Sequence, residues 1–500
     1  MTTTGNKLKN YIGGNWIASE TTHYEPIPNP ATGEVLSHVP LSTKDDVDQA
    51  VQAAKEAFPA WSATPVVDRA RIMFKYQQLL IENQDELARM ITLENGKNTA
   101  EAQAEVLRGI EMVEFACGMP TLLMGDTLPN IAKGIDCQAI RLPLGVVGGI
   151  VPFNFPLMVP MWMFPIAIAA GNTFVLKPSE RTPLSTVRAI ELFKQAGLPD
   201  GVINVVNGAH DVVNGLLEHP DVKAISFVGS QPVAEYIYKT ASAHGKRVQA
   251  LAGAKNHHLV MADTDLKRAA KTIASSAFGC AGERCMAASV AVVVEDAADE
   301  FVAHLIDESN SLRMGNGLEA GIDLGPVIRA SHLEKVHQLI AQGVEEGAQL
   351  ARDGREDAKA HDNGYFLGPT VIDHTNPEMV VVREELFAPV LSVVRVKSFE
   401  EGLHVISQSR YGNGACIYTN SGRLGREFSL RVEAGMVGVN VGVPAPMGFF
   451  AFSGWKQSFY GDLHANGKDG VEFYTKKKTI TSRWLDDGDS SIGSQKVFVK

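Results

Sequence analysis

The sequence predicts an α/β protein with two doubly wound lobes and a set of β ribbons outside both. Short apolar runs such as VINVVNG and AISFVGS alternate with helical stretches, which is typical of a parallel sheet covered by helices. A second alternating series, with HHLVMA and SVAVVVE as its strands, begins after Gly253. We therefore expect the chain to cross from one lobe to the other near residues 249–253.

The first part of the chain is predicted to be helical over residues 43–94 and again over 100–117. The first stretch opens with a Ser/Thr cap and acidic residues in STKDD and ends at the glycine of LENG, which are start and stop signals of helices. Segments 134–141 and 476–484 instead alternate Thr, Ile and basic residues, as exposed edge strands do. We expect these two segments to form the ribbons and to pair as edge strands, for example with another subunit.

Residues 142–176 contain no charged side chain and are long enough to span a membrane. However, prolines at 143, 152, 156, 160 and 165 leave no window of about 20 residues without a helix breaker, and Asn154 and Asn172 would lack partners in lipid. We therefore predict no membrane span. The pattern predicts a buried βαβ unit, with strands over 144–151 and 173–176, a PFNFP loop and a helix over 157–170.

Composition narrows the classes of function and the compartment. The chain has 46 Lys and Arg against 57 Asp and Glu, a formal net charge of −11, which disfavours nucleic acid as a partner. Its five cysteines are too few and too scattered for a disulfide framework. The N-terminal MTTTGNKLKN has neither the apolar core of a secretory signal nor the Arg-rich pattern of a transit peptide. We expect a cytoplasmic protein.

Two strand ends of the first lobe carry residues suited to a nucleotide. Ser230 follows a predicted strand and precedes a helix, whose free N–H groups favour anions. Lys177, Glu180 and Arg181 follow another strand, at the sheet edge where ligands bind in open α/β sheets. Both segments are equally compatible with ordinary capped turns.

The run FGCAGERCMAAS is the strongest candidate for a nucleophile. Cys285 follows small residues that allow a substrate to approach, and the adjacent Arg284 can favour the thiolate. Cys280 and Cys285 lack the companion ligands of a metal site, and His257 and His258 point to opposite faces of a strand. We therefore predict no metal.

Five motifs in this order, PFNFP, LKPSE, FVGS, GCAGERCMA and EELFAPV, resemble the aldehyde dehydrogenase superfamily over nearly the whole chain. Within it, FACGMPTLLMGD, GAKNHH and RCMA resemble the CoA-acylating methylmalonate-semialdehyde dehydrogenases. The resemblance implies a NAD-binding domain of residues 1–118, 142–249 and about 455–475, a catalytic domain of 250–454, and an oligomerisation ribbon of 119–141 and 476–500. The two candidate ribbons favour a homodimer or homotetramer.

The resemblance implies that Cys285 adds to an aldehyde, that Asn154 stabilises the oxyanion, and that the acyl group passes to coenzyme A. Arg108 and Arg284 would bind the carboxylate of a malonate or methylmalonate semialdehyde, which loses CO₂ after oxidation. The implied NAD-binding residues come from both lobes: Phe153, Lys177, Glu180, Arg181, Ser230, Glu385 and Phe387. Because a ribose-binding Glu180 would repel a 2′-phosphate, we expect NAD rather than NADP.

Two residues depart from the expected patterns. Leu251 stands where hydrolytic members carry a glutamate, and leucine cannot activate water. Glu283 stands where a neutral glutamine is expected, two residues before the nucleophile. The missing glutamate favours transfer to a thiol. Two alternatives are a hydrolytic, CoA-independent aldehyde dehydrogenase with another base, and a non-catalytic NAD-binding protein.

Overall fold

The computed structural model describes residues 7–359, 361 and 363–484. The first six residues lie outside this part of the chain. They belong to the segment MTTTGNKLKN, for which we expect no targeting signal. Residues 485–500 of the predicted ribbon segment also lie outside the described part.

The described chain contains strands at every place where the sequence predicts one, together with several short strands near the N-terminus. The strands are β1 Asn10–Ile12, β2 Asn15–Ile17, β3 Tyr24–Pro28, β4 Val35–Pro40, β5 Asp126–Ala132, β6 Ile135–Pro143, β7 Val146–Ile150, β8 Thr173–Lys177, β9 Ile203–Val205, β10 Val222–Val228, β11 Arg247–Leu251, β12 Asn256–Val260, β13 Ala288–Val294, β14 Gln349–Arg352, β15 Thr370–Thr375, β16 Val390–Val396, β17 Tyr411–Gly412, β18 Gly414–Tyr418, β19 Met436–Val439, β20 Trp455–Lys456, β21 Phe459–Gly461 and β22 Thr475–Arg483.

The helices cover the sheets, and α1 to α4 form over the two N-terminal stretches predicted to be helical, 43–94 and 100–117. They are α1 Lys44–Ala63, α2 Val66–Glu82, α3 Gln84–Asn95, α4 Thr99–Cys117, α5 Met119–Leu122, α6 Met158–Ala169, α7 Leu184–Gln195, α8 His210–Glu218, α9 Gln231–Ala243, α10 Leu266–Phe278, α11 Glu295–Ser311, α12 Ala330–Glu345, α13 Arg355–Ala358, α14 Val380–Arg383, α15 Phe399–Ser407, α16 Gly422–Arg431 and α17 Gly467–Phe473. As predicted, α1 begins at a capping box formed by Thr43 and Asp46, and α3 ends at Gly96, whose φ is 93°.

The first sheet has the strand order β2-β1-β9-β8-β7-β10-β11-β21. Its five central strands are parallel, and they are β9, β8, β7, β10 and β11. Ile150 at the end of β7 lies opposite both Lys177 on β8 and Phe227 on β10, so the carboxyl ends of these strands share one edge. This edge is where the sequence predicts nucleotide-binding residues.

The second sheet has the order β14-β15-β16-β13-β12-β18-β19 and is parallel except for the β14 and β15 pair. The chain enters it directly from β11 of the first sheet, so the predicted crossing near 249–253 is confirmed. Two parallel sheets with helical cover confirm the predicted fold class. The domain boundaries stay a prediction, although β21 from the segment 455–475 does join the first sheet.

The predicted ribbons form one three-stranded antiparallel sheet, β22-β6-β5, outside both lobes. The two segments predicted from the sequence pair with each other along their length, from Thr475 opposite Pro143 to Arg483 opposite Ile135. Leu128 and Ile131 on β5 are more than half exposed. The expected role of this sheet in assembly stays a prediction.

The uncharged stretch forms the predicted βαβ unit of β7, a loop, α6 and β8. Every residue of β7 and β8 is buried. Within the described ranges, the longest apolar helices fall short of what a membrane span requires.

Candidate active site

Cys285 lies just after an unusual backbone turn. Cys280, Ala281 and Gly282 have φ values of 51°, 54° and 69°, a left-handed conformation that costs energy at residues other than glycine. A Cβ at Gly282 would lie 2.1 Å from the carbonyl oxygen of Ala388, so only glycine fits here. The carbonyl oxygen of Cys285 accepts hydrogen bonds from the side-chain amides of Asn256 at 2.9 Å and Asn413 at 3.0 Å. The backbone of the candidate nucleophile is therefore held in place from the second sheet.

Cys285 lines two cavities, which we name after a charged residue in each. The Glu385 cavity is narrow, with a volume of about 10 Å³, and its lining includes Lys255, Arg284, Cys285 and Phe387. The Arg108 cavity is larger, with a volume of about 90 Å³. It is lined by polar and aromatic residues that include Arg108, Glu111, Phe155, Trp162, Arg284, Cys285 and Phe452. The thiol of Cys285 therefore lies where a larger cavity and a narrow one meet.

The thiol of Cys285 is neutral at physiological pH in this arrangement. Burial and, to a smaller extent, the carboxylate of Glu385 raise the pKa of Cys285 to about 12. Arg284 lowers this pKa, as expected from the sequence, but its effect is the smallest of the contributions. Arg284 therefore shifts the pKa of the Cys285 thiol in the expected direction. The shift is too small to produce a thiolate, because burial has the larger effect on this pKa.

The Glu385 cavity contains two groups whose pKa values lie near neutrality. Burial raises the pKa of Glu385 to about 7, partly offset by a hydrogen bond of 3.0 Å from Ala254 N to Glu385 Oε1. Burial also lowers the pKa of Lys255 to about 7. Phe387 has a φ of 52°, and its ring meets that of Phe153 edge to face at 6.0 Å. Phe153, Glu385 and Phe387, three residues predicted to bind the cofactor, therefore lie around the nucleophile's cavity.

Asn154 lies in the loop between β7 and α6, with 5% of its surface exposed. Its Nδ2 donates a hydrogen bond of 2.9 Å to the carbonyl oxygen of Glu283, two residues before the nucleophile. A side-chain amide has two N–H donors, so one remains for a ligand. The structure brings this predicted oxyanion donor to the same turn as Cys285.

Both predicted carboxylate-binding arginines line the Arg108 cavity. Arg108 Nη1 donates to Glu111 Oε2 at 2.8 Å and contacts Met447 Sδ at 2.8 Å. Arg284 donates to Glu101 Oε1 at 3.1 Å and to Cys280 Sγ at 3.2 Å. Because a guanidinium has five N–H donors, both side chains keep donors for a further anion.

The remaining predicted cofactor residues lie at the carboxyl edge of the first sheet. Lys177 Nζ donates to Glu180 Oε2 at 2.9 Å, and Arg181 pairs with Glu25 at 3.4 Å. Burial alone would raise the pKa of Glu180, but the pair with Lys177 outweighs it and the net shift is downward. Ser230 is exposed at the N-terminus of the 13-residue helix α9.

Leu251 and Glu283, the two residues that depart from the expected family patterns, lie in different surroundings. Leu251 ends β11, is buried with 4% exposure, and packs in the core against which Cys285 also packs. The carboxyl of Glu283 points away from the thiol, since its Oε1 accepts from Ile328 N at 3.2 Å and lies 4.0 Å from His332 Nε2. Glu283 therefore lines neither of the two cavities.

The adjacent histidines are hydrogen-bonded within the second lobe. His257 Nδ1 lies 2.8 Å from the carbonyl oxygen of Lys255, and His258 Nδ1 lies 3.2 Å from the Tyr418 hydroxyl. In the part of the chain that the structure describes, no group of three or more His, Cys, Asp or Glu side chains could hold a metal ion.

This arrangement agrees with the comparison of the sequence with known families. The profile of the Aldehyde dehydrogenase family matches residues 16–480, which is most of the chain. The chain belongs to the aldehyde dehydrogenase family. The resemblance seen in the motifs is confirmed, and the protein is an aldehyde dehydrogenase.

Relatives within this family agree in sequence and in structure. Malonate-semialdehyde dehydrogenase 1 of Geobacillus thermodenitrificans is 64% identical over 97% of this chain and 100% of its own length. A methylmalonate-semialdehyde dehydrogenase of Oceanimonas doudoroffii superposes with a TM-score of 0.95 at 49% identity, over 97% of this chain and 99% of its own. A Sinorhizobium meliloti protein solved as a methylmalonate-semialdehyde dehydrogenase complexed with NAD gives 0.95 at 45% identity, with the same coverage.

Sequence reasoning missed several charged residues of this aldehyde dehydrogenase site. Lys97, Glu101 and Glu105 are buried or half-buried and contact the loops that carry Asn154 and Cys285. Glu101, Glu105 and Arg108 are spaced at i, i+4 and i+7 on α4, so they share one helix face. That spacing was a usable signal, because acidic residues rarely face a helical core without a partner.

Proposed function

We propose that this aldehyde dehydrogenase oxidises malonate or methylmalonate semialdehyde with NAD, transfers the acyl group to coenzyme A, and releases CO₂. The observation that carries the proposal is the position of Cys285 between a cavity lined by two arginines and a cavity lined by Glu385 and Phe387. The substrates named for the relatives are the semialdehydes of two short dicarboxylic acids that differ by one methyl group.

The Arg108 cavity suits a small aldehyde that carries a carboxylate. Arg108 and Arg284 can each present guanidinium N–H groups to one carboxylate, the geometry that arginine provides best. Aromatic side chains such as Trp162 and Phe452 form the apolar remainder of the lining. A semialdehyde bound to the arginines would place its aldehyde carbon toward Cys285.

Cys285 would then add to the aldehyde carbon through its sulfur and lose its proton. Asn154 and the backbone N–H of Cys285 would stabilise the oxyanion, with each such donor worth roughly 3–4 kcal/mol of transition-state stabilisation. After hydride loss the acyl group remains on Cys285 as a thioester. Because the pKa of the Cys285 thiol is high, the addition step depends on a proton acceptor or on the positive charge of a bound cofactor.

The residues at the edge of the first sheet fit NAD. Glu180 offers a carboxylate for ribose hydroxyls, Lys177 an ammonium and Ser230 a helix N-terminus. Arg181 Nε is buried and has no hydrogen-bond partner among the described residues. A bound ligand could supply the missing hydrogen-bond acceptor. When bound, NAD supplies the hydride acceptor. Glu385 and Phe387 would hold its nicotinamide half beside Cys285.

Leu251 supports coenzyme A, rather than water, as the acyl acceptor. Water attacks a thioester efficiently only when a general base removes its proton, and leucine cannot do so. The sulfur of coenzyme A is a stronger nucleophile, so its attack on the acyl carbon and release of the Cys285 thiolate need less help. The β-carboxylate leaves as CO₂. One semialdehyde, one NAD⁺ and one CoA thiol then give one acyl-CoA, one CO₂ and one NADH.

The proposal is tested by measuring NADH formation from malonate and methylmalonate semialdehyde, each with and without coenzyme A. We expect turnover that requires coenzyme A and gives acetyl-CoA or propionyl-CoA with an equal amount of CO₂. The Cys285→Ala variant is the control and should give no NADH. NADH formed at full rate without coenzyme A, with the free acid as product, would instead support the hydrolytic alternative.

A further inference from the structure

One face of α4 contacts both loops that form the active site. Glu101 Oε1 accepts from Cys280 N at 2.6 Å and from Arg284 Nη2 at 3.1 Å, so it holds the turn before the nucleophile. Two turns further along the helix, Arg108 lines the substrate cavity. Glu105 lies between these two residues on the same face.

Glu105 and Lys97 form an ion pair whose side chains are 0% and 1% exposed. Lys97 Nζ lies 2.6 Å from Glu105 Oε2 and also donates to the carbonyl oxygen of Asn154 at 2.7 Å. Glu105 Oε1 accepts from the backbone N–H groups of Leu157 at 2.9 Å and Met158 at 3.2 Å. The two charges therefore hold one loop, the ammonium at residue 154 and the carboxylate at residues 157 and 158.

Stability does not explain why these charges are buried. Removing two ions from water carries a large desolvation penalty, and an apolar pair of similar volume is often as stable or more so. The hydrogen bonds that Lys97 and Glu105 make outside the pair all go to the loop of Asn154. The pKa of Lys97 is lowered by burial but raised more by Glu105 and other nearby anionic groups, so the ammonium stays charged.

We propose that Lys97 and Glu105 are positioning residues for the side-chain amide of Asn154 in the oxyanion site. This inference rests on the proposed oxyanion role of Asn154. The direction of the amide is set by the backbone at residue 154, which the Lys97 ammonium fixes, and by the bond of Nδ2 to Glu283 O. A shift of about 1 Å in a reacting group can cost about 10²-fold in rate.

The first experiment compares Lys97→Met with the wild type. We expect kcat for NADH formation to fall about 10-fold to 100-fold, with little change in the KM for semialdehyde. The rate at which iodoacetamide alkylates Cys285 should not change, because Lys97 acts on the oxyanion loop rather than on the thiol. Lys97→Arg keeps the charge and should restore part of the activity.

Lys246→Met is the matched control. Lys246 is also buried, with 7% exposure, and its Nζ also donates to backbone carbonyl oxygens, including that of Val222 at 2.8 Å. Val222 begins β10, so this lysine lies at the opposite edge of the sheet from the site. Lys246→Met should lower the melting temperature and leave kcat near the wild-type value. An equal loss of kcat in both variants would mean that Lys97 has only a structural role.

The deciding experiment is a double-mutant cycle of Lys97→Met with Asn154→Ala. If Lys97 acts through Asn154, Lys97→Met will cause no further loss of kcat in the Asn154→Ala background. If the kcat losses of the two single variants multiply in the double variant, the proposal is wrong, while the role of Asn154 stands. A wild-type kcat in Asn154→Ala would overturn the oxyanion role itself, and the proposal with it. If Lys97→Met does not fold, Glu105→Gln, which keeps the side-chain shape, takes its place in the cycle.

Discussion

The two cavities that meet at Cys285 differ in whether their charged side chains form ion pairs. In the Glu385 cavity, Lys255 and Glu385 have no ion-pair contact within the described chain, and burial moves both pKa values to about 7. In the Arg108 cavity, each arginine already contacts a glutamate, Arg108 with Glu111, and Arg284, which lines both cavities, with Glu101. Unpaired buried groups change protonation easily, whereas paired groups keep fixed charges. One side is therefore suited to proton movement and the other to recognition of an anion.

Replacement of Cys285, the residue shared by the two cavities, should have the largest effect. Cys285→Ala removes the proposed nucleophile, and we expect NADH formation to fall by at least about 10⁴-fold. Cys137→Ser, on the ribbon strand β6, is the control and should keep wild-type activity. Steady-state assays with a semialdehyde and coenzyme A measure both. Activity in Cys285→Ala above about 1% of the wild type would assign the chemistry to another residue.

The fixed charges of the Arg108 cavity should decide how well the substrate carboxylate binds. Hydrogen bonds to charged groups contribute about 1.5–3 kcal/mol, so Arg108→Met should raise the KM for semialdehyde about 10-fold to 150-fold. The KM for propanal, which has no carboxylate, should change little. A rise that is equal for both aldehydes would mean that Arg108 shapes the cavity without binding the carboxylate.

Glu180 at the edge of the first sheet should control the choice between NAD and NADP. Glu180→Gln removes the charge that repels a 2′-phosphate and weakens the contact with ribose hydroxyls. We expect the KM for NAD to rise about tenfold and the preference for NAD over NADP to narrow. Glu191→Gln, on α7 and paired with Arg188, is the control. An unchanged preference in Glu180→Gln would place ribose recognition elsewhere.

Glu283, close to the nucleophile in sequence but outside both cavities, should affect stability rather than rate. Burial raises the pKa of Glu283 from 4.5 to about 8, so the folded protein keeps a proton that the unfolded chain releases. Its contribution to stability is present in full below about pH 4.5 and is lost as the pH rises toward 8. The melting temperature of Glu283→Gln relative to the wild type should therefore increase between pH 5 and pH 8. A difference that is the same at both pH values would contradict this.

The parts of the fold that the sequence predicted are those with strong local patterns. The βαβ unit of β7, α6 and β8 was predictable because its apolar run is divided by prolines, and α1 and α3 because of their terminal signals. The short strands β1 to β4 were not predicted, since three to six residues give too little alternation. The strand β11 was predicted only as a crossing between lobes.

The residues of the candidate site also separate into those that a local sequence motif indicates and those that only the fold brings together. Cys285, Asn154 and Glu385 could be proposed because each lies in a short motif that is visible along the chain. The spacing on α4 could have indicated that Glu105 is a buried residue, but the contact of Lys97 and Glu105 with the loop of Asn154 could not be predicted, since that loop is more than 45 residues away in sequence. The same applies to Lys255, whose low pKa follows from burial that a sequence does not reveal.

The sequence by itself determined the family, the two-lobed α/β architecture and the absence of a carboxylate at Leu251, and it indicated Cys285 as the proposed nucleophile. These depend on residue identity and local order, which a sequence states directly. Only the tertiary structure decided that Cys285 is shared by two cavities, that its thiol is neutral, and that a buried ion pair holds the loop of Asn154. These depend on burial and on distances between remote segments, because electrostatic and hydrogen-bond energies are set by the separation of groups in space.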